Sequence, residues 1–482
     1  MLRIASAKNI FIFSFVYTSI VSILFQFVVL PIFLPEIHEG GGLFKGFDMN
    51  TYHYQASKMA YLIDEGGLSN LKINGSGSIA GFAAFFYYIT GVHEIYILIP
   101  FNALLHSLSA VLIYYLINLV ICDKVSAFFG ATIFIILPTS MFWYTQIHKD
   151  GLFILGIFLF IYGFIGILKY SFNGKIIPTL AILMFPLFGN TLSVLMRPYY
   201  ATVSEIITIV FTLIFSIYIF FKIDENRKKI LLILGFIFVT LSILICNIFI
   251  SNQHSIVNIV NPTNLKFNKV SPSIEVISEQ IESPIEVISE QIESQILNVN
   301  HSENFINHFK LELEHLAQNA TKILDPFVSG LTTRRIKYIR KHGDASENFS
   351  NIDNDIKLVS FSDILLYAPR AVQIGLTAPF PNKWFSPGSS QATSMFKLIN
   401  AFEMMLYYLS FIGVIIIIMK NEMVFIHRII ITYAFINIIA FTIAIPNIGT
   451  LHRIRYGFVM LIVCLGCAQL YKLLIKNKRD VY

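Results

Sequence analysis

The stretch LPTSMFWYTQIHKDGLFILGIFLFIYGFIGIL, residues 137–168, places the polar triplet His148-Lys149-Asp150 directly before a long apolar run. The run from Gly151 to Leu168 carries no charged residue. It approaches the length, about 20 apolar residues, that a helix needs to cross the hydrocarbon core of a bilayer. Runs of this kind recur along most of the chain. The pattern predicts transmembrane helices rather than the core of a soluble domain.

The composition supports the same prediction. The 482-residue chain is 55% hydrophobic and 13% charged, whereas charged residues make up about 25% of a typical soluble domain. We therefore expect an all-α polytopic membrane protein with about ten transmembrane helices. The apolar segment IAGFAAFFYYIT, 79–90, is too short to cross and is expected to be a re-entrant or interfacial helix. The expected spans are 10–34, 95–121, 125–146, 151–168, 176–195, 201–221, 230–250, 398–419, 425–446 and 457–475.

Basic residues favour one side of the membrane. Lysines and arginines cluster in alternate short loops, as the positive-inside rule describes for cytoplasmic loops, so both termini are expected in the cytoplasm. The loops that hold Asp48, Asp150, Arg197 and Arg453 then face outward. The run 10–34 is too long for a signal peptide and lacks a small-residue cleavage site, so it is expected to be retained. The net charge of +6 needs no nucleic-acid partner, since the basic residues lie mostly at helix ends beside membrane lipids.

The spans and polar segments divide the chain into three regions. Residues 1–250 are expected to form an N-terminal transmembrane module whose first outer loop is 35–94. Residues 251–397 are the one large polar block, expected to be an outer, mostly helical insertion that ends in an interfacial segment. Residues 398–482 are expected to form the C-terminal transmembrane helices.

Several conspicuous features are assigned no chemistry. The segment IEVISEQIES occurs twice, at 274–283 and 285–294, and its isoleucine spacing predicts solvated amphipathic helices. Cys464 and Cys467 have the spacing of a redox motif but lie in an apolar span, where they are expected to pack as small residues. His106, in NALLHSLSA, is expected to be a buried and hydrogen-bonded histidine.

Ionisable residues gather at the outward helix ends. Each has an ordinary explanation: Asp48 as a loop acid, Asp150 as a charge favoured by a helix N-terminus, and the arginines as anchors for lipid headgroups. However, basic residues are disfavoured on the outer side, and an arginine donates two parallel hydrogen bonds to a phosphate. Together they indicate a site for an anionic, lipid-linked substrate. The residues concerned are Asp48, His148, Lys149, Asp150, Arg197, Arg370, Arg453, Arg455 and Tyr456.

Three short motifs resemble those of the GT-C-type integral-membrane glycosyltransferases, the group that includes the protein O-mannosyltransferases and the lipid A aminoarabinose transferase. DMNTYHYQA, with Asp48, Tyr52 and His53, is similar to the acidic motif in their first outer loop. LPTSMFWYTQIHKD, ending in Asp150, is similar to their second acidic motif, and Arg455-Tyr456 to a late arginine-tyrosine pair. The resemblance covers roughly the first 200 residues and, more loosely, the last 30.

The resemblance implies transfer of a sugar from a polyprenyl-phosphate or polyprenyl-diphosphate donor to a glycan or lipid acceptor, at the outer face of a bacterial inner membrane. Asp48 would be the general base, with Lys149, Arg197 and Arg455 stabilising the departing phosphate. Asp150 would orient the acceptor, hold Lys149, or ligate a divalent cation (Mg²⁺ or Mn²⁺) through oxygen. The expected substrate-binding residues are Tyr52, His53, His148, Lys149, Arg197, Arg370, Arg453, Arg455 and Tyr456.

Two other classes of protein share parts of this pattern. An O-antigen or capsule polymerase or ligase also combines many spans with a large outer loop and phosphate-binding arginines, and Arg370 and Arg453 would then matter more than Asp48. A lipid or solute transporter is the second alternative. Transporters tend to have repeated halves and helices broken at mid-membrane, whereas the charges here are predicted at helix ends.

Overall fold

The computed structural model describes residues 5–45, 48–73, 78–172, 176–260, 328–339, 351–386, 391–419 and 425–479. These residues are helical apart from loops, and they contain isolated β-bridges but no strand. In chain order the helices are α1 (Ala7–Leu24, continued by the π-helical stretch Phe25–Phe33), α2 (Asp48–Gly66), α3 (Ser78–Thr90), α4 (Ile99–Ile121), α5 (Lys124–Ile136), α6 (Pro138–Tyr144), α7 (Asp150–Phe172), α8 (Ile176–Met196), α9 (Ala201–Lys222), α10 (Asn226–Val260), α11 (328–339), α12 (Phe361–Thr377), α13 (Gln391–Met419), α14 (Phe425–Ala444) and α15 (Ile448–Arg479).

The fold-class prediction is confirmed, because the protein is an all-α polytopic membrane protein. In the described part of the chain, 8 helices are long and apolar enough to cross a membrane. Helices occupy all of the predicted span positions. Helices α5 and α6 form one bent pair, and α8 includes the apolar stretch Ile182–Met196. The 8 long apolar helices are α1 with its continuation, α4, α7, α9, α10, α13, α14 and α15.

The predicted span 125–146 is broken into two helices, and the polar triplet His148-Lys149-Asp150 follows the second of them. Helices α5 and α6 meet at an angle of 62°. Pro138 has no N–H to donate, and the preceding Leu137 is extended at φ −62° and ψ 128°, the conformation that a following proline favours. The chain therefore bends between α5 and α6 instead of forming one straight helix, and residues 145–149 after α6 form a loop.

Close packing of α7 on α8 fixes the position of the next polar residues. Small residues allow the two backbones to approach: a Cβ added to Gly189 would lie 2.5 Å from the carbonyl oxygen of Gly156. The helices run antiparallel, so the first residue of α7, Asp150, lies beside Arg197, which directly follows α8. Helix α15 also packs on α7, and a T-shaped contact joins Phe153 to Phe458. Three helix ends therefore converge on one point.

The regions outside the membrane are described in part. The short apolar helix predicted at 79–90 is α3, whereas the tandem repeat at 274–294 lies outside the described residues. From the polar block, α11 and α12 pack near the end of α14, and α12 carries exposed leucines at 365 and 366. The three-region division and the interfacial position of α3 and α12 stay predictions.

Two of the modest sequence predictions are confirmed. Cys464 and Cys467 are free thiols buried in α15. Both ring nitrogens of the buried His106 have hydrogen-bond partners: Nδ1 lies 2.6 Å from the Thr18 hydroxyl, and Nε2 lies 3.0 Å from the Ser140 hydroxyl. These residues stabilise helix packing.

Candidate functional site

The two acidic residues that the sequence singled out meet on a single arginine. Nη2 of Arg453, in the first turns of α15, lies 3.0 Å from Oδ2 of Asp48, and its Nε lies 3.4 Å from Oδ2 of Asp150. Asp48 begins α2, so the segment between α1 and α3 and the α7–α8–α15 junction form one polar cluster. We call Asp48, His148, Lys149, Asp150, Arg197 and Arg453 the acid–arginine cluster.

Asp150 is the buried centre of this cluster, and its side chain is 1% exposed. Its Oδ1 accepts a hydrogen bond from Arg197, and its Oδ2 contacts the His148 imidazole as well as Arg453. The position at the start of α7 adds the favourable dipole of a helix N-terminus. A buried carboxylate needs such partners because its desolvation is costly. If Asp150 ligated a divalent cation, one of these partners would have to move away.

Asp48 has a different environment, because half of its side chain is exposed. Partial burial raises the pKa of Asp48, but Arg453, by its charge and its hydrogen bond, outweighs that effect, and Lys149 and His148 add to it. The pKa of Asp48 therefore lies below its ordinary value. The side chain is an ionised carboxylate that is still open to solvent.

Lys149 is the member of the cluster that has no ion-pair partner in the described part of the chain. Its Nζ is 5.7 Å from the centre of the Tyr52 ring. The described residues place no carboxylate within ion-pair distance of it, and the charges of Asp150 and Asp48 act on Lys149 only from farther away. Burial, with a further contribution from the Arg197 charge, lowers the pKa of Lys149 to about 8. Burial also lowers the pKa of His148, against the opposing effect of Asp150.

His53 faces away from the acid–arginine cluster although its neighbour Tyr52 contacts it. Successive helical residues point about 100° apart, and His53 instead lies 2.9 Å from the Tyr87 hydroxyl of α3. Its ring also makes a T-shaped contact with the Tyr87 ring. Tyr52 is buried, and burial raises its pKa. Of this predicted pair, only Tyr52 belongs to the site.

Arg455 is not part of the cluster either, contrary to expectation. It lies two residues after Arg453 on α15, roughly 200° around the helix. It is 1% exposed and donates hydrogen bonds to the carbonyl oxygens of Ile374 and Gly375, each at 2.6 Å, and of Ala378. Gly375 and Ala378 belong to the last carbonyls of α12, which lack partners within the helix, whereas Ile374 also accepts the Ala378 N–H. Arg455 therefore caps a helix.

Arg370 and Tyr456 also lie outside the cluster. Arg370 forms a two-pronged pair with Asp353, with Nε 3.0 Å from Oδ2 and Nη2 3.2 Å from Oδ1. The Tyr367 hydroxyl donates to the same carboxylate. Tyr456 is 1% exposed inside α15. Asp353, which the sequence analysis did not single out, thus explains why Arg370 is occupied elsewhere.

A second group of residues missed by the sequence analysis holds the first outer loop in place. Gln146 accepts a hydrogen bond from the Phe44 N–H at 3.1 Å and donates one to the Gly42 carbonyl at 2.9 Å. Gln26, in the π-helical stretch, donates to the Thr145 carbonyl. Asn102 donates to the Gln146 carbonyl at 3.0 Å. In the sequence, these contacts could have been suspected only from amide residues in apolar segments and from the glycines at 40–42, which is a weak indication.

One more cation reaches this region from the polar block. The guanidinium carbon of Arg334, on α11, lies 3.3 Å from the centre of the Tyr199 ring. The Tyr199 hydroxyl accepts a hydrogen bond of 2.7 Å from Arg197. Arg334 is therefore linked to Asp150 through Tyr199 and Arg197. The sequence shows the doublet Arg334-Arg335, but nothing in it indicates that Arg334 lies near Arg197.

Cations outnumber acids in this assembly. Asp48 and Asp150 pair with Arg197 and Arg453, and Lys149 and Arg334 add two further positive charges to the region. An anionic group is therefore the ligand that the arrangement favours. Within the described residues, no group of three or more His, Cys, Asp or Glu side chains is arranged to hold a metal ion.

Comparisons with known proteins do not identify the chain. No protein-family model, no curated protein and no solved structure matches it. The resemblance to GT-C-type glycosyltransferases therefore stays a prediction from the three short motifs.

Proposed function

We propose that this protein is a membrane glycosyltransferase that moves a sugar from a polyprenyl-phosphate or polyprenyl-diphosphate donor to a glycan or lipid acceptor of the cell envelope. One observation carries the proposal: the half-exposed carboxylate of Asp48 is joined through Arg453 to a buried, cation-rich centre around Asp150. A base and an anion-binding group thus lie side by side, which is what transfer from a phosphate leaving group requires.

In the proposed reaction, an acceptor hydroxyl attacks the anomeric carbon of the sugar. A new carbon–oxygen bond forms, the bond from that carbon to the phosphate oxygen breaks, and the hydroxyl proton passes to Asp48. The departing phosphate keeps the bonding electron pair, and Lys149 with Arg453 stabilises its charge. Because the displacement is direct, the anomeric configuration inverts.

The ionisation of Asp48 supports its role as the base. A general base must be deprotonated before it accepts a proton, and Arg453 keeps the pKa of Asp48 below its ordinary value. The same arginine makes Asp48 a weak base, so proton transfer comes late, as the bond to the phosphate breaks. Asp150, enclosed by Arg197, His148 and Arg453, positions the cations and does not reach the substrate.

The proposed setting is the outer face of a bacterial inner membrane, with both termini in the cytoplasm. The support is the alternation of lysine- and arginine-rich loops, which assigns the loops of the acid–arginine cluster to the outer side. A lipid-linked donor in the outer leaflet would then enter along the helices whose ends converge there.

The deciding experiment is replacement of Asp48 by Asn in membranes supplied with labelled lipid-linked sugars. Loss of a well-placed general base lowers the rate by about 100- to 10,000-fold, so we expect transfer to disappear while the protein level is unchanged. Asp64→Asn, at an exposed position of the same helix, is the matched control. Full activity in Asp48→Asn would end the proposed role of Asp48.

The polymerase or ligase alternative makes a different prediction. If that alternative were correct, Arg370→Ala would abolish activity and Asp48→Asn would not. The pairing of Arg370 with Asp353 favours the transferase, since this arginine already has a carboxylate partner outside the acid–arginine cluster.

A further inference from the structure

Two adjacent arginines on α11 have different environments. Arg335 is 1% exposed and donates hydrogen bonds to the carbonyl oxygens of Ile356 at 3.3 Å, Ile443 at 3.2 Å and Asp353. These contacts join α11 to the end of α14 and to the loop before α12. Arg335 thus fixes α11 in place, and its neighbour is carried to a defined position.

That neighbour, Arg334, has its guanidinium over the Tyr199 ring. The described residues provide no acid within ion-pair distance of Arg334, and its Nε is buried without a hydrogen-bond partner. Burial lowers the pKa of Arg334, and Arg197 lowers it further, while Tyr199 opposes them. A half-buried cation held near a second cation costs free energy, and a bound anion would recover it.

Lys149 is a similar cation at another edge of the acid–arginine cluster. Arg334 is joined to Arg197 through Tyr199, and Lys149 directly precedes Asp150, which accepts a hydrogen bond from the same arginine. Among the described residues, Asp150 and Asp48 pair with Arg197 and Arg453, so Lys149 and Arg334 remain as two positive charges without a directly bonded acid. A sugar-linked monophosphate diester carries one negative charge, whereas a sugar-linked diphosphate carries two.

We propose that Arg334 and Lys149 together bind the diphosphate of the donor, so that the site selects polyprenyl-diphosphate-linked sugars over monophosphate-linked ones. The transfer step in this inference rests on the function proposed above, but the anion site does not. Arg334 uses its planar fork on phosphate oxygens while its face stays on Tyr199. The polar block thereby supplies a residue to a site that is otherwise built by the membrane helices.

Binding measurements on the full-length protein test this without turnover. The protein is placed in nanodiscs of phosphatidylcholine and titrated with matched pairs: inorganic pyrophosphate with inorganic phosphate, and P1-farnesyl-P2-methyl diphosphate with farnesyl methyl phosphate, whose ester linkages leave the same charges as in the sugar-linked donors. We expect each diphosphate to bind at least about tenfold more tightly than its monophosphate, since each charge-assisted contact contributes that order of affinity. Arg334→Ala and Lys149→Ala should each remove most of this preference, and Arg334→Lys part of it.

Lys337→Ala is the matched control, because it removes an exposed charge from the same helix and should leave binding unchanged. A thermal melt verifies that Arg334→Ala still folds, whereas Arg335→Ala is expected to lower the melting temperature. Equal affinity for diphosphate and monophosphate, or undiminished preference in folded Arg334→Ala, would overturn the inference. So would loss of pyrophosphate binding in phosphatidylglycerol nanodiscs, which would mark a site for bulk anionic lipid.

The two proposals fail in different ways. Sugar transfer without diphosphate preference would support the transferase proposal and contradict the proposed role of Arg334. If the protein transfers no sugar from any donor but still prefers diphosphate in a way that depends on Arg334, the anion site would be supported. The transferase proposal would be contradicted.

Discussion

Asp48 and Asp150 share the guanidinium of Arg453, yet the side chain of Asp48 is 50% exposed and that of Asp150 is 1% exposed. The environment of each carboxylate therefore assigns it a different task. The buried one holds Arg197, Arg453 and the His148 imidazole in place, and the open one is accessible from solvent. Two acids of the same type acquire separate roles through desolvation alone, as is common in active sites.

Replacing Asp150 by Ala should destabilise the protein, because Arg197 and Arg453 would lose their shared counter-charge. Removing one partner of a buried ion pair costs about 3–5 kcal/mol. Asp48→Ala, in an exposed pair, should cost at most about 1 kcal/mol. The measurement is the thermal midpoint of each variant in detergent. Equal midpoints for the two variants would contradict the assignment of Asp150 as the buried anchor.

Arg453 and Arg455 should respond in opposite ways to the same substitution. Arg453→Met removes the link between Asp48 and Asp150, so we expect a large loss of transfer with a modest change in stability. Arg455→Met removes the side-chain donor from the Gly375 and Ala378 carbonyl oxygens at the end of α12, at a cost of roughly 1–3 kcal/mol, while the Ile374 carbonyl keeps the Ala378 N–H. The donor KM should then be unchanged. Transfer rates and melting curves of both variants separate the roles, and a raised donor KM in Arg455→Met would return that residue to the site.

This pair also shows how far sequence reasoning reaches. Apolar runs predicted the helices because burial in lipid requires an uninterrupted apolar length, and charge at helix ends predicted that Asp48, Asp150, Arg197 and Arg453 lie together. The sequence could not separate Arg453 from Arg455, because helix rotation relative to neighbouring helices is set by packing. The sequence also could not place Arg334 near the acid–arginine cluster, because the position of α11 depends on long-range contacts of Arg335 with the end of α14.

Gly42 is expected to tolerate no side chain. Its φ is +78°, a conformation that L residues rarely adopt, and an added Cβ would lie 2.7 Å from Cβ of Gln26. Gly42→Ala should therefore displace the first outer loop, break the hydrogen bond from Gln146, and move Asp48 away from Arg453. We expect slower transfer together with a lower melting temperature. Gly40→Ala is the control, because φ there is also positive but nothing lies within 4 Å of an added Cβ.

If the control were as damaging as Gly42→Ala, backbone strain alone would explain both results, and the contact with Gln26 would carry no weight. Normal transfer in Gly42→Ala would show that the loop does not position Asp48.

The pH dependence of donor binding should report on Lys149. Its pKa of about 8, lowered mainly by burial, keeps it protonated at neutral pH and neutral at high pH. A polyprenyl-diphosphate sugar does not itself titrate in this range. We expect the donor KM to be flat below about pH 8 and to rise above it, by at most about tenfold per pH unit because one proton is coupled. Lys149→Arg keeps its charge at these pH values, so its KM should stay flat to higher pH.

Stability should change in the opposite direction over the same interval. The folded-state pKa of Lys149 is below its ordinary value of 10.5, so between about pH 8 and 10.5 the unfolded chain binds more protons than the folded one. Stability then rises with pH as far as this group is concerned, and the contribution is absent in Lys149→Met. A donor KM that rises identically in the wild type and in Lys149→Arg would place the titrating group elsewhere, since only the lysine loses its charge in that interval.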